Sequence, residues 1–388
     1  MEVCVMQKAE VILSILGERS INDRNYKFER IYRNFFNEDF YLLAYKKLLT
    51  TNIAYKYEKK PLDKEVIKDL ITNMKNEKYK FLFTSKQEDF GLNHKVSLLM
   101  EITKEILKKI YSPIFIESPS AYEVKKSPFE ALAEIKKNGL NKNWAIEGNL
   151  QDIRSKLDVN ILATFLKDKI NDGRMIELIK TIFTSPYKMP MLEEIYFSYF
   201  DSFLANMTNE KLYYSRYEDQ FLFLIEGTKE IAQRLENTIK AYFSAIYLQD
   251  LPGRLINLND QKIFFLDYEI FISSKNTNVQ GSCNLIVPTS VINEKIKAFT
   301  AHGKAIHCHN RMNLPIAEIV KIYDQEIKAF YQYYALADDV KRKIKKFKYY
   351  HYQSLLKTIA RKEKGTISKV KKKYLLSYKD NGYYFVCK

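Results

Sequence analysis

A chain of 388 residues that is 46% hydrophobic and 28% charged can bury a large core, and it is long enough for two or three domains. Its apolar runs, such as "FLFLI", are far short of the roughly 18 residues a membrane span needs, so no helix is long and apolar enough to cross a bilayer. The formal net charge is +16, and it is unevenly placed: residues 321–388 hold 18 basic side chains against 6 acidic ones, a net +12, leaving +4 for the first 320.

A basic excess of that density favours a polyanionic partner, nucleic acid being the commonest large one, because each phosphate contacted releases condensed counterion. The plainer alternative is a solubilising surface. Cys4, Cys283, Cys308 and Cys387 lie far apart, which argues against a disulfide framework and for a reducing compartment. Glu2, Glu10, Glu18 and Asp23 fit neither a secretory leader nor an acid-poor transit peptide, so if the protein works in an organelle it is expected to be made there. Heavy use of Lys, Asn, Ile, Tyr and Phe, with only 11 Gly and 9 Pro, points to AT-rich coding.

In chain order, residues 26–57 carry apolar side chains at helical intervals (Phe28, Ile31, Phe35, then Leu42, Leu43, Tyr45, Leu48) and predict two helices. "PLDKEVIKDLITNMKNEKYKF" predicts a helix capped by Asp63, with Val66, Ile67, Leu70, Ile71 and Met74 on one face. A third helix, "VSLLMEITKEILKKIYSPIF", is expected to end near Ser112-Pro113. "WAIEGNL" (144–150) and "QFLFLIEG" read as strands. "DVNILATFLKDKI", "MIELIKTIF", "MLEEIYFSYFDSFLANM" and "TKEIAQRLENTIKAYFSAI" read as helices, the last with Ile231, Leu235, Ile239 and Phe243 on one stripe. "KIFFLDYEIFI" is a further strand candidate. From about Lys275 no strand is expected until the last residues, and no internal repeat is present. Strands alternating with helices in this way predict an α+β sheet backed by helices.

The blocks "FERIYRNFFNEDFYLLAYKKL", "KYKF", "ILKKIYSPIF", "SPFEAL", "WAIEGN", "EEIYFSYFD", "RYEDQFLF" and "FLDYEI" resemble, in order, the successive motifs of group II intron reverse transcriptases. The tail, with "IVKIYDQEIKAFYQYYALADD" and "YYHYQSLLKTIARKEKGTISKVKKKY", looks like the thumb, or maturase domain X, of that family. The "SL..T.A.K" core of that domain is matched by Ser354, Leu355, Thr358, Ala360 and Lys362. The resemblance covers nearly the whole chain from about residue 25. It implies right-hand polymerase-like fingers and palm, an antiparallel sheet backed by helices, followed by an α-helical thumb. The implied boundaries are a fingers-like region at 1–115, a degenerate palm at 116–275 and a thumb at 276–388. The chain is expected to stop after domain X, without a further DNA-binding region or a Cys/His endonuclease module.

Two-metal phosphoryl transfer needs several convergent carboxylates. In the resembling family one comes from the strand matched by "WAIEGNL" and two from a "YxDD" turn. Here the first position is Asn149 and the turn reads Tyr217-Glu218-Asp219-Gln220, so amides stand at two of three ligand positions. An amide oxygen supplies no negative charge, and Glu218 does not rescue the site, because adjacent residues on a strand point to opposite faces and it should face away from Asp219. The family's basic fingers segment is replaced by "FTSKQEDFGLNHK", its phenylalanine-arginine pair by Tyr122-Glu123, and its "PQG" motif is missing between Thr184 and Pro190. No catalytic residue, metal or cofactor is therefore assigned.

The thumb keeps its cations. If "YYHYQSLLKTIARKEK" is helical, Tyr352, Leu355, Leu356 and Ile359 face inward, while Lys357, Arg361 and Lys364 form a stripe able to follow a phosphate backbone. Lys341, Arg342, Lys343, Lys345, Lys346 and Lys348 lie upstream, Lys362 within the motif, and Lys369, Lys371, Lys372 and Lys373 downstream; together these are the candidate RNA-binding residues. Tyr349, Tyr350 and Tyr352 among them can stack on unpaired bases or serve as core. His302, His307, Cys308 and His309, with Cys283 upstream, are zinc-type ligands, but three are contiguous and no CxxC pair accompanies them; a solvated loop is the better reading.

The expected function is that of an intron maturase: an RNA-binding splicing cofactor that stabilises a folded self-splicing intron of group II or group III, with polymerase activity lost. The alternatives are an active RNA-directed DNA polymerase with an altered metal site and a general basic RNA-binding scaffold. Intron RNA is the expected partner, with other splicing factors as further candidates and no membrane. The expected location is an organelle, the plastid before the mitochondrion.

Overall fold

The computed structural model describes residues 7–51, 62–84, 90–117, 127–208, 211–273, 282–374, 377–379 and 382–384. The chain divides into two compact units, one made of residues 1–125, 150–208 and 238–251, the other of 126–149, 209–237 and 252–388.

The first unit is built on helices. α1 (Ala9–Asn22) and α2 (Glu38–Thr51) pack on the long α4 (Phe90–Glu117), and α3 (Lys64–Lys75) packs on α2. Ser20 Oγ of α1 donates to the Ile110 carbonyl of α4 at 2.5 Å. The expected cap of α3 forms: the Asp63 carboxylate accepts from the Glu65 N–H at 3.0 Å, and Ile67, Leu70 and Met74 are buried. Of the two helices expected over 26–57, the first is a short 3-10 turn, Ile31–Phe36, and the second is α2. α4 does not end at Ser112-Pro113 but runs through to Glu117. Pro113 forfeits one hydrogen bond, and the added turn brings Phe115 into the core 6.2 Å from Tyr111 between ring centroids, a burial that outweighs the loss.

A two-residue parallel pair joins β1 (Phe28–Glu29) to β3 (Ile170–Asn171). After α5 (Pro128–Asn138) and β2 (Trp144–Asn149), both in the second unit, the first unit continues with α6 (Gln151–Arg154), α7 (Val159–Lys169), α8 (Gly173–Thr184) and α9 (Pro190–Met207). Asp158 caps α7 and Asp172 caps α8, and the second Asp172 oxygen accepts from the Tyr32 N–H at 2.9 Å. In the segment where "PQG" is missing, Thr184, Tyr187, Lys188 and Met189 line a small cavity of about 350 Å³ with Arg154 and Glu193. "FTSKQEDFGLNHK" lies partly, and Tyr122-Glu123 wholly, outside the described residues.

The second unit carries the sheets. Four antiparallel strands run in the order β4 (Leu212–Tyr217), β5 (Gln220–Ile225), β2, β6 (Arg254–Asn257). Phe221 to Ile225 are all buried, which explains why β5 reads as an unbroken apolar run: it is central and covered on both faces. Gly148 is required in β2, because a Cβ there would meet the Pro252 carbonyl at 1.9 Å and the Phe221 ring at 2.2 Å. α10 (Lys229–Tyr247) follows, its residues 229–237 belonging to this unit and 238–247 to the first; Ala232, Ile239 and Phe243 are buried and Ile231 exposed, so its apolar stripe starts one residue later than the pattern predicts.

"KIFFLDYEIFI" is not one strand but a hairpin, β7 (Ile263–Phe265) and β8 (Tyr268–Ser273), turning at Leu266 and Asp267, both at positive φ. A third strand, β9 (Ser282–Ile286), pairs with β8 in the region expected to be strand-free. Its five residues show only Cys283 and Leu285 inward, too short a pattern to stand out without its partner. The unit ends in α11 (Thr289–Lys297), a small hairpin of β10 (Thr300–Ala301) and β11 (Lys304–Ala305), α12 (Ile316–Tyr333), α13 (Val340–Lys362), α14 (Ile367–Tyr374) and a hairpin of β12 (Ser377–Lys379) and β13 (Gly382–Tyr384). One core runs from the sheets into these helices, from Leu222 and Leu224 through Ile270 and Leu285 to Tyr323, Leu355 and Ile359.

Candidate functional site

The residues at the three carboxylate positions come together at one end of the sheet. Asn149 closes β2 and pairs across the ladder with Gln220, the first residue of β5. Tyr217 also pairs with Gln220, so Glu218 and Asp219 form a two-residue turn rather than a length of strand. The expected opposition of Glu218 to Asp219 through strand alternation therefore does not apply. Glu218 sits in the left-handed region at φ 52° and is exposed, and its carbonyl accepts from the buried Arg216 guanidinium at 2.9 Å.

Gln220 has its own work. Its Oε1 accepts from the Leu266 N–H at 2.9 Å and so ties the sheet to the turn of the β7–β8 hairpin. The neighbouring Glu147 makes a parallel tie: Oε1 takes the Arg254 guanidinium at 2.9 Å and Oε2 takes the Phe264 N–H at 2.8 Å. Asn143 brackets Gly227 with both ends of its amide, at 2.7 and 3.0 Å, fixing the far end of β5. The chemistry of this donor set does not fit a pair of divalent ions. It offers one carboxylate in a turn and two amides, of which one already accepts a backbone hydrogen bond.

The zinc-type residues are dispersed. His302 and Gly303, at φ 49° and 73°, form the turn of the β10–β11 hairpin. The His307 and His309 rings stand 6.4 Å apart, and Cys283 is buried on β9, where burial pushes its thiol up to about 12. Among the described residues no group of three or more His, Cys, Asp or Glu is placed to hold an ion.

The basic residues fall on α13, α14 and the turn between them. Ile344, Phe347, Leu355, Leu356 and Ile359 bury one side of α13, and Tyr352 is half-buried against the same core, as the pattern predicts. On the other side of its first half, Lys341, Arg342, Lys345 and Lys346 are exposed. Lys346 also reaches Asn293 Oδ1 at 3.1 Å, and the half-buried Lys343 reaches Thr289 Oγ1 at 2.5 Å, both on α11. Lys348 is partly buried, and desolvation lowers its pKa. Tyr349 is 61% exposed beside them, whereas Tyr350 and Tyr352 pack on the core.

The second half of α13 is different in kind. Lys357 donates to the Ala305 carbonyl at 2.6 Å, Thr358 Oγ1 accepts from the Cys308 N–H at 2.8 Å, and Lys362 donates to the Met312 carbonyl at 2.9 Å. Three residues of one helix thus hold the segment 305–312. Ser354, from the same motif, shares a hydrogen bond of 2.9 Å with Tyr323, which also reaches Thr358 at 3.2 Å. Arg311 of the held segment pairs with Glu326 on α12 and stacks 4.3 Å from the Tyr323 ring centroid. The "SL..T.A.K" spacing is therefore legible as a clamp, a role that residue types alone did not disclose. Arg361 and Lys364 are exposed, but α13 ends at Lys362, and Lys364 turns the chain at φ 50° towards α14. Lys369, Lys371, Lys372 and Lys373 are exposed on α14, with Lys373 paired to Glu363 at 2.7 Å.

Beneath the clamp lies a buried polar chain. His351 Nδ1 meets the Tyr383 hydroxyl at 2.8 Å and Nε2 meets Glu326 Oε2 at 3.1 Å. Burial lowers the His351 pKa although Glu326 pulls it the other way. Burial alone would raise the Glu326 carboxyl, but the His351 and Arg311 donors outweigh it and hold the group below its ordinary value.

An antiparallel palm-like sheet ending in a YxD turn, followed by a basic helical domain, defines a reverse-transcriptase-like protein with a maturase-type C-terminal region. Residues 281–380 match the family model described as type II intron maturase. The group II intron-encoded protein LtrA of Lactococcus lactis subsp. cremoris is 23% identical, over 94% of this chain and 80% of its own length. An uncharacterized 91 kDa protein in a cob intron of Schizosaccharomyces pombe is 24% identical, over 66% of this chain and 37% of its own length. The uncharacterized mitochondrial protein ymf11 of Marchantia polymorpha is 28% identical, over 21% of this chain and 11% of its own length. Residues 281–380 thus resemble the type II intron maturases and most of the chain is similar to a group II intron-encoded protein, similarities that support an intron-related role.

Proposed function

We propose that the protein binds intron RNA and promotes splicing by stabilising the folded intron, without polymerising. The observation that carries this reading is Gln220: an amide stands where a metal-binding carboxylate is needed, and it is occupied in holding the Leu266 N–H. The chemistry would then belong to the RNA and its own ions, and the protein's contribution is a binding free energy that differs between folded and misfolded RNA. The exposed cations Lys341, Arg342, Lys345, Lys346, Arg361, Lys364, Lys369, Lys371 and Lys372 are the proposed phosphate contacts, with Tyr349 as a stacking residue. The division into fingers-like 1–115, palm 116–275 and thumb 276–388 belongs to the same proposal. So does an organelle origin, the plastid before the mitochondrion, in an intron of group II or group III, supported by the AT-rich coding bias.

The test compares affinity for the host intron with that for an unrelated RNA of equal length at two salt concentrations. Tighter binding of the intron is expected. Equal affinities with parallel salt slopes would favour a general RNA scaffold and defeat the maturase reading. The polymerase alternative predicts Mg²⁺-dependent primer extension exceeding that of an Asp219→Ala control; no such excess is expected.

A further inference from the structure

A cavity of about 760 Å³ in the second unit is walled by α11, α12, α13 and the β7–β8 turn. Its floor is aromatic: Phe299, Phe330 and Phe347 are nearly fully buried and expose only slivers of ring, with Tyr334 beside them. Tyr333, 42% exposed, stands at the wall and donates to Asp267 Oδ2 at 3.1 Å. Asp267, Glu294 and Glu326 supply carboxylates, and Lys295 is the cation in the lining. Glu326 is balanced by Arg311, so the cavity keeps a net negative charge from Asp267 and Glu294 against Lys295. This is the reverse of the chain's overall sign of +16.

That combination selects a ligand. Carboxylates at the rim repel phosphate, so the cavity is not part of the RNA track. The carboxylates and the exposed Tyr333 ring attract positive charge, and an apolar floor favours a cation carried on an alkyl stem over a hydrated inorganic ion. The volume lies within the range of small-molecule sites, roughly 300–1,000 Å³. We propose that this cavity binds an organic cation with an apolar stem, of the ammonium or guanidinium type, supplied either as a free polyamine or as a lysine or arginine side chain of a partner protein. The site stands apart from the RNA reading and does not depend on it.

The full-length protein is titrated calorimetrically with spermidine and, separately, with a short uncharged peptide bearing one arginine, each with MgCl₂ as competitor at matched ionic strength. Saturable binding of at least one probe is expected, weakened at least tenfold by the pair Asp267→Asn and Glu294→Gln. Asparagine tolerates the left-handed backbone that Asp267 adopts at φ 59°. Tighter spermidine binding assigns a free polyamine, and tighter peptide binding assigns a protein side chain. Glu294→Lys alone, on the exposed side of α11, should weaken binding as well and guards against a folding defect in the pair; unchanged thermal unfolding is the control. No saturable binding of either probe, equal affinity in the variants, or displacement by Mg²⁺ at matched ionic strength overturns the proposal.

Discussion

The hydroxyl of Thr358 serves three partners: it accepts from the Cys308 N–H, donates to the Ser354 carbonyl and lies 3.2 Å from the Tyr323 hydroxyl. Thr358→Val keeps the volume and leaves a backbone N–H without its acceptor, at a cost of about 1–3 kcal/mol. The expected result is a lowered unfolding midpoint with the salt slope of RNA binding unchanged; a variant as stable as the parent would show that the clamp adds no stability. His351 titrates against the same network. Its folded pKa is depressed from the usual value near 6.5. The unfolded chain therefore binds more protons just below that pH, and the contribution is present above about 6.5 and lost as pH falls through the folded value. The Glu326 carboxyl, also depressed, loses its contribution further down, in the acid range of carboxylates. Thermal midpoints should fall as pH drops below about 6.5, and His351→Gln should flatten that fall; an equal fall in the variant would assign the dependence elsewhere.

At the scale of elements, α13 divides into a half that faces solvent with its cations and a half that holds backbone with them. Neutralising Lys341, Arg342 and Lys345 should lower RNA affinity and flatten its dependence on log salt, by up to about 0.7 for each phosphate of single-stranded RNA no longer neutralised. Neutralising Lys357 and Lys362 should instead lower thermal stability and leave the slope near its original value; the reverse pattern would mean that the two halves are misassigned. This division marks the limit of what the sequence disclosed. The pitch of Leu355, Leu356 and Ile359 announces a buried face, because period 3.6 is a local property. Whether the ammonium beside that face meets water or the Ala305 carbonyl depends on a segment some fifty residues away, which no local pattern encodes. The same holds for β9, where five residues acquire their pattern only by pairing with β8. The Asn149 and Gln220 substitutions were legible as lost charge. That Gln220 had gained a structural partner in Leu266 was not, since it requires the hairpin to be placed.

For the whole molecule, the decisive quantity is where its charge lies. Residues 321–388 carry a net +12 and the preceding 320 only +4, so counterion release on binding should come almost entirely from α13, α14 and their flanks. A ligand that binds the folded state stabilises it by RT ln(1 + [L]/Kd), and here Kd rises steeply with salt. Host intron RNA should therefore raise the unfolding midpoint at low salt, with the gain shrinking as salt is added. Amide exchange in the complex should gain protection along the exposed face of 340–373 and at the 305–312 segment that the clamp holds, while β2 and β5, already buried, change little. A protection pattern centred instead on Asn149 and the Glu218–Asp219 turn would place the nucleic acid at that end of the sheet. It would make the persistence of Asp219 a matter of function rather than of fold.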